Sequence, residues 1–294
     1  MTPLPPEQRQ QLATLLAYCR EMGGIDFYRS EKDLAEMAEM GAGPVPSQLA
    51  AEASQVTIHS APSTPLNPAS PETDPTMPPR KPNLLTPPPI IDFSSSAIAP
   101  QERAAALQAI RQEIGDCTRC QLAFEGRHKI VFGDGDPNAE LLFVGEGPGA
   151  DEDEQGVPFV GRAGQLLNNM IAAMGLGRER VYIANIVKCR PPKNRVPEPD
   201  EALTCTQFLF QQIGVVRPKL IVALGATAAT YMLGSKASLS VLRGKLQDCM
   251  GTKLIVTYHP AYLLRDPRQK AEAWKDLQLA MQFLNLTPPK RAGS

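Results

Sequence analysis

Apolar residues along this chain fall into two regimes that change near residue 100. Beyond it they gather into short unbroken runs separated by stretches with helical spacing. The runs Leu141-Leu142-Phe143-Val144, Val181-Tyr182-Ile183-Ala184, Leu220-Ile221-Val222-Ala223-Leu224 and Leu254-Ile255-Val256-Thr257 show no alternation with polar residues. A strand with one wet face alternates, whereas a strand covered on both faces does not, so these four read as buried strands. Helical spacing predicts helices over 104–114, 164–174, 200–213, 226–233 and 269–284. Strands alternating with helices imply an α/β fold: three layers, α/β/α, with a short, mainly parallel central sheet. Ligands bind such sheets at the carboxyl ends of the strands. The loop from Gly145 to Asp153, Asn185 and His259 all fall there.

The first hundred residues behave differently. Residues 6–40 carry a weak helical pattern, with Leu12, Leu15, Leu16 and Met22 followed by Leu34, Met37 and Met40, broken by Gly23-Gly24. Helices this short are not stable alone in water, so 1–42 reads as a short helical element suited to docking on a protein partner. Nearly half of the 29 prolines fall between Pro44 and Pro100, among serine, threonine and alanine. Such a segment buries too little apolar surface to offset its chain entropy, which makes 43–100 a disordered linker and 101–294 the one large domain.

Charge changes the picture only when divided along the chain. The formal net charge is −1, but residues 101–294 hold 24 Lys/Arg against 20 Asp/Glu. A mildly basic body permits a nucleic-acid partner without requiring one. There is no run of about 18 apolar residues to span a membrane, and residues 1–9 lack the basic start and apolar core of a secretory signal. The expectation is a cytoplasmic protein, in which six cysteines point to a metal site or to burial rather than to disulfides.

Two clusters carry candidate chemistry. Gly145-Glu146-Gly147-Pro148-Gly149 follows a strand as a phosphate loop would. However, Asp151, Glu152, Asp153 and Glu154 would stand where a pyrophosphate must sit, and Pro148 removes a backbone donor. An uncharged ligand beside a carboxylate fits better. Cys117 and Cys120 form a C-x-x-C pair, Cys189 lies 69 residues further on, and Cys205 another 16. The basic stretch Arg190-Pro191-Pro192-Lys193-Asn194-Arg195 lies inside the loop closed by the second pair. This spacing suits zinc and iron–sulfur equally. Cys19 and Cys249 read as incidental thiols.

From Cys117 to about Leu284 the chain resembles the family 4 uracil-DNA glycosylases, the iron–sulfur type. The resemblance rests on the Gly-Glu-Gly-Pro-Gly loop with its acidic run and on Pro158-Phe159-Val160-Gly161. It rests equally on Asn185-Ile186-Val187-Lys188-Cys189-Arg190-Pro191-Pro192 and His259-Pro260-Ala261-Tyr262-Leu263-Leu264-Arg265. It covers none of residues 1–100. Ala150 and Ala261 depart from residues common in the family, and the histidine-bearing insertion of a branch that bonds covalently to DNA is missing.

The resemblance implies a DNA-repair enzyme that flips uracil out of single- or double-stranded DNA and hydrolyses its glycosidic bond. It implies a [4Fe-4S] cluster on Cys117, Cys120, Cys189 and Cys205, and a uracil pocket formed by Gly145, Glu146, Gly147, Phe159, Asn185 and His259. In that pocket Phe159 offers an aromatic face, and stacking is worth roughly 1–3 kcal/mol per base. Asn185 matches the donor–acceptor edge of uracil and mismatches that of cytosine. His259 is the candidate to stabilise charge developing on uracil O2, and Glu146 or Glu152 the candidate for the attacking water. The segment from Glu152 to Pro158 is the candidate wall against the thymine methyl. Leu264 and Arg265 suit a wedge that fills the gap left by the base, and Lys188, Arg190, Lys193 and Arg195 suit phosphates. A nucleoid-associated monomer is expected. The alternatives are a non-catalytic nucleic-acid-binding module and a zinc-stabilised hydrolase.

Overall fold

The computed structural model describes residues 88–91 and 98–287. The helical element expected at 1–42 and most of the linker expected at 43–100 lie outside the described residues.

Helix α1 (Arg103–Ile114) leads through the first cysteine pair to strand β1 (Asp134–Gly135) and then β2 (Leu141–Gly145). Helices α2 (Ala150–Gln155) and α3 (Arg162–Ala173) carry the chain to β3 (Tyr182–Asn185). Next come α4 (Pro199–Val216), β4 (Leu220–Leu224), α5 (Gly225–Leu233) and the single turn α6 (Leu239–Leu242). Strands β5 (Leu246–Cys249) and β6 (Thr252–Thr257) follow, then α7 (Pro260–Arg265) and α8 (Lys270–Leu284).

The sheet order is β1-β3-β2-β4-β6-β5. The inner four strands are parallel, and β1 and β5 are antiparallel edges. All four apolar runs therefore lie in the inner sheet, and alternate residues serve opposite faces. Leu142, Val144, Ile221, Ala223, Leu254 and Val256 pack with α1, α4 and α5 in one core, while Leu141, Phe143, Leu220, Val222 and Ile255 pack with α3 and α8 in the other. Burial on both faces is the reason these runs do not alternate. From β2 the chain moves to β3 on one side, and from β3 it crosses to β4 on the other. The carboxyl end of β2 is thus the point where the winding reverses, the place where such sheets leave a crevice.

Differences from the sequence reading are local. Helix α4 starts with Pro199 at its first position, and the backbone N–H of Glu198 donates to Glu201 Oε2 at 2.7 Å, which completes a capping box. The acidic run after the glycine loop is half exposed, at Asp151 and Glu154, and half buried. It forms α2, in which Asp153 is fully buried and Glu152 nearly so. Backbone N–H groups satisfy both carboxylates, those of Gly149, Val160 and Gly161 at Glu152 and those of His128 and Lys129 at Asp153, which makes that burial tolerable. Strands β1 and β5 are too short and too polar to announce themselves by pattern.

Candidate active site

Three strand ends build the site. Gly145 and Asn185 are the last residues of β2 and β3 and pair across the sheet, and His259 follows β6 by two residues. Gly145 is glycine because of what lies against it: a Cβ there would stand 2.3 Å from Asn185 Oδ1 and 2.5 Å from Phe159 Cζ. Phe159 itself is 5% exposed, and its ring centroid lies 5.6 Å from that of His259. Gly145, Phe159, Asn185 and His259 are therefore neighbours. Gly147 continues the loop against Val187, where a Cβ would come within 2.7 Å of Cγ2.

Polar groups in this cluster are unevenly satisfied. Asn185 is 1% exposed, and its Oδ1 has no hydrogen-bond partner among the described residues. A buried acceptor without a donor costs about 1–3 kcal/mol, so such groups are rare unless a ligand supplies the donor. His259 caps α7, and its Nδ1 accepts from the Ala261 N–H at 3.1 Å. Burial, helped by the positive charge of Arg265 and opposed by Glu152, lowers its pKa to about 4. A neutral imidazole that accepts at Nδ1 carries its proton on Nε2, which makes Nε2–H a donor.

The two candidate carboxylates differ in what they already do. Glu146 accepts a hydrogen bond from the Thr227 hydroxyl at the start of α5, which joins the ends of β2 and β4 across the crevice. Glu152 accepts three backbone N–H groups: Gly149 at 3.0 Å on Oε2, and Val160 at 2.9 Å and Gly161 at 3.0 Å on Oε1. It stitches the glycine loop to the Phe159 turn. Asp153 makes a similar brace, accepting from the His128 and Lys129 backbone and from His128 Nδ1 at 2.7 Å. Burial alone would push its carboxyl up, but these donors hold it below the usual range.

The four cysteines converge. Cys117, Cys120, Cys189 and Cys205 line one narrow void together with Lys188. Among the described residues, no three metal-binding side chains are drawn into a closed cage. N–H groups nevertheless reach three of the sulfurs: Arg119 to Cys117 at 3.5 Å, Arg127 to Cys189 at 3.3 Å and the Lys188 backbone to Cys205 at 3.2 Å. Burial pushes the Cys120 and Cys205 thiols up to about 12. Thiols this buried ionise only against a strong positive charge, which a metal supplies. Four sulfurs around one void with cationic neighbours fit a thiolate-ligated centre. Cys249 stands apart, donating to the Met232 carbonyl at 3.0 Å.

Comparison with known proteins accords with this arrangement. Residues 132–278 match the family model described as the uracil DNA glycosylase superfamily. The chain is 42% identical over 186 residues to a type-4 uracil-DNA glycosylase of Thermotoga maritima, a stretch that makes up 62% of this chain and 96% of that one. It is 40% identical to a type-4 enzyme of Sulfurisphaera tokodaii over 63% of this chain and 87% of the relative. A third type-4 relative, from Pyrobaculum aerophilum, is 41% identical over 59% of this chain and 92% of its own length. The chain belongs to the uracil DNA glycosylase superfamily. Within it, the near-complete coverage of these relatives aligns it with the type-4 members.

In this glycosylase fold the residues expected at the DNA divide. Arg265 is exposed and Leu264 half-buried on α7. Lys193 is exposed, and Arg190 is half-buried, its Nε donating to Asn194 Oδ1 at 2.7 Å. Arg195 grips Glu201 through two nitrogens, at 2.8 and 2.7 Å, and Glu125 at 3.0 Å, so its charge is already matched. Lys188 corrects its expected place at a phosphate. It is 1% exposed, with Nζ donating inward to the Asn185 carbonyl at 3.0 Å and to Gln212 Oε1 at 2.6 Å. Burial lowers its pKa to about 8. One residue escaped the sequence reading: Thr227, which the rule of strand carboxyl ends would have flagged just after β4.

Proposed function

We propose that this chain excises uracil from DNA by hydrolysing the bond between the base and its deoxyribose, leaving an abasic site. The observation that carries the reading is Asn185 Oδ1, a buried acceptor without a donor among the described residues, at the carboxyl end of a parallel sheet. Uracil N3–H is a donor of the right kind. Cytosine presents an acceptor at that position and would leave the oxygen unpaired.

The base leaves the stack at a cost of a few kcal/mol and enters a pocket floored by Gly145. Phe159 stacks on one face of it. Asn185 accepts from N3–H and donates from its amide to O4. As the C1′–N1 bond lengthens, negative charge grows on the base, and the Nε2–H of neutral His259 donates to O2, where that charge collects. Glu146 serves the water. Its Oε2 is fixed by Thr227, leaving Oε1 to orient the water that attacks C1′ and to offset the positive character of the sugar. Glu152, already committed to three backbone donors, acts as a brace.

The four cysteines hold a [4Fe-4S] cluster, in keeping with the donor set and with the type-4 resemblance. When bound, it supplies metal–thiolate links that tie the Cys117 loop to the segment between Cys189 and Cys205. Arg190, Lys193, Leu264 and Arg265 face the DNA, and residues 101–294 form the catalytic domain. The test is incubation of a uracil-containing oligonucleotide with the purified protein, followed by alkali. Strand scission at the uracil is expected. An intact strand bound tightly by the protein would instead mark a non-catalytic binding module.

A further inference from the structure

The Phe159 platform is held in an unfavourable backbone conformation. Its φ is 53°, in the left-handed region that a residue with a Cβ avoids at a cost of about 1 kcal/mol or more. Arg178 holds it there. The guanidinium donates to two successive carbonyls, from Nη2 to Pro158 at 2.5 Å and from Nη1 to Phe159 at 3.1 Å. Its other contacts anchor it: Asn168 Oδ1 on α3 at 3.1 Å, and Asp134 Oδ2 on β1, reached by Nε and Nη2 at 3.3 Å each. The rear of the turn is equally close. A Cβ on Gly164 would fall 1.9 Å from the Phe159 carbonyl oxygen, so α3 presses directly on the peptide that Arg178 grips. One planar fork thus joins α3, the sheet edge and the turn, and only arginine presents several donors in such a fixed geometry.

We propose that Arg178 is a positioning residue for uracil excision, holding the Pro158–Phe159 turn so that the Phe159 ring meets the flipped base, with Asp134 orienting the guanidinium. This rests on the glycosylase reading above. The ring packs against Gly145 and His259, so a turn allowed to relax would carry it away from both. A misplacement of about 1 Å remote from the chemistry can cost about 100-fold in rate.

A double-mutant cycle on the full-length protein tests this, with kcat and KM measured on uracil-containing DNA. Arg178→Met is expected to lower kcat/KM roughly 10–100-fold, mostly in kcat, and Arg178→Lys not to restore it, because an ammonium cannot grip two carbonyls. In a Phe159→Leu background the same Arg178→Met change is expected to cost less than about threefold, since the group it positions is gone. Equal losses in both backgrounds, or full activity of Arg178→Met, would overturn the proposal. Should Arg178→Met fail to fold, Asp134→Ala keeps the fork and removes one anchor. It is expected to give a smaller loss that also vanishes beside Phe159→Leu, and its persistence there overturns the proposal equally. Absence of uracil release by the unaltered protein would refute the glycosylase reading instead.

Discussion

Asn185 is buried and His259 half-buried, and desolvation acts on them differently. On Asn185 it leaves an acceptor unsatisfied, and on His259 it removes a charge. Replacing Asn185 with alanine deletes the acceptor along with its amide. The expected loss is about 1–3 kcal/mol of transition-state stabilisation, or roughly 5–150-fold in kcat/KM on uracil-DNA, with the fold retained by circular dichroism. For His259 the sign follows from proton counts. The folded group titrates near 4 and an unperturbed histidine near 6.5, so between these values the unfolded chain binds a proton that the folded chain does not. The stabilising contribution of neutral His259 is complete above about pH 6.5 and is lost as pH falls towards 4, amounting to at most about 3 kcal/mol. Thermal midpoints measured from pH 4 to 8 should show this slope, weakened in His259→Gln. The acid limb of kcat/KM should lack an inflection near 6.5; a histidine acting as a cation would produce one with activity rising below it.

At the scale of elements, legibility depended on whether a segment satisfies its own pattern. The inner strands were readable because both of their faces are buried, so apolar runs alone identify them. Helix α2 was not, because its burial depends on partners distant in sequence: Val160 and Gly161 for Glu152, and His128 and Lys129 for Asp153. Lys188 misled for the same reason. A lysine in a basic motif suggests solvent, and nothing local reveals that Gln212, 24 residues away, provides the acceptor. That Gly145, Asn185 and His259 stand together at strand ends was legible through the winding rule and the resemblance, whereas the contacts of Arg178 exist only once the fold creates them. The Glu152 brace gives a stability prediction. Glu152→Gln replaces one charged acceptor oxygen with an N–H₂ that opposes a backbone donor, so unfolding in urea should show a loss of about 1.5–3 kcal/mol. An unchanged midpoint would show that the two loops hold together without it.

For the whole molecule, the proposed cluster joins segments that no secondary structure connects. Purified under anaerobic conditions, the protein should be brown, absorb near 400 nm and contain about four irons per chain. A colourless protein carrying one zinc would replace the cluster with the simpler centre. Cys205→Ala should lose the metal and unfold at a lower temperature. The ends of the sheet have a further consequence. Its outermost strands, two and four residues long, run against their neighbours and offer very little unpaired backbone on either flank. A strand from another chain would find almost nothing to extend. The architecture that opens a crevice at the centre of the sheet therefore also terminates it at both sides, a form of protection against self-association in which short edges combine with the charges of Asp134 and Asp248.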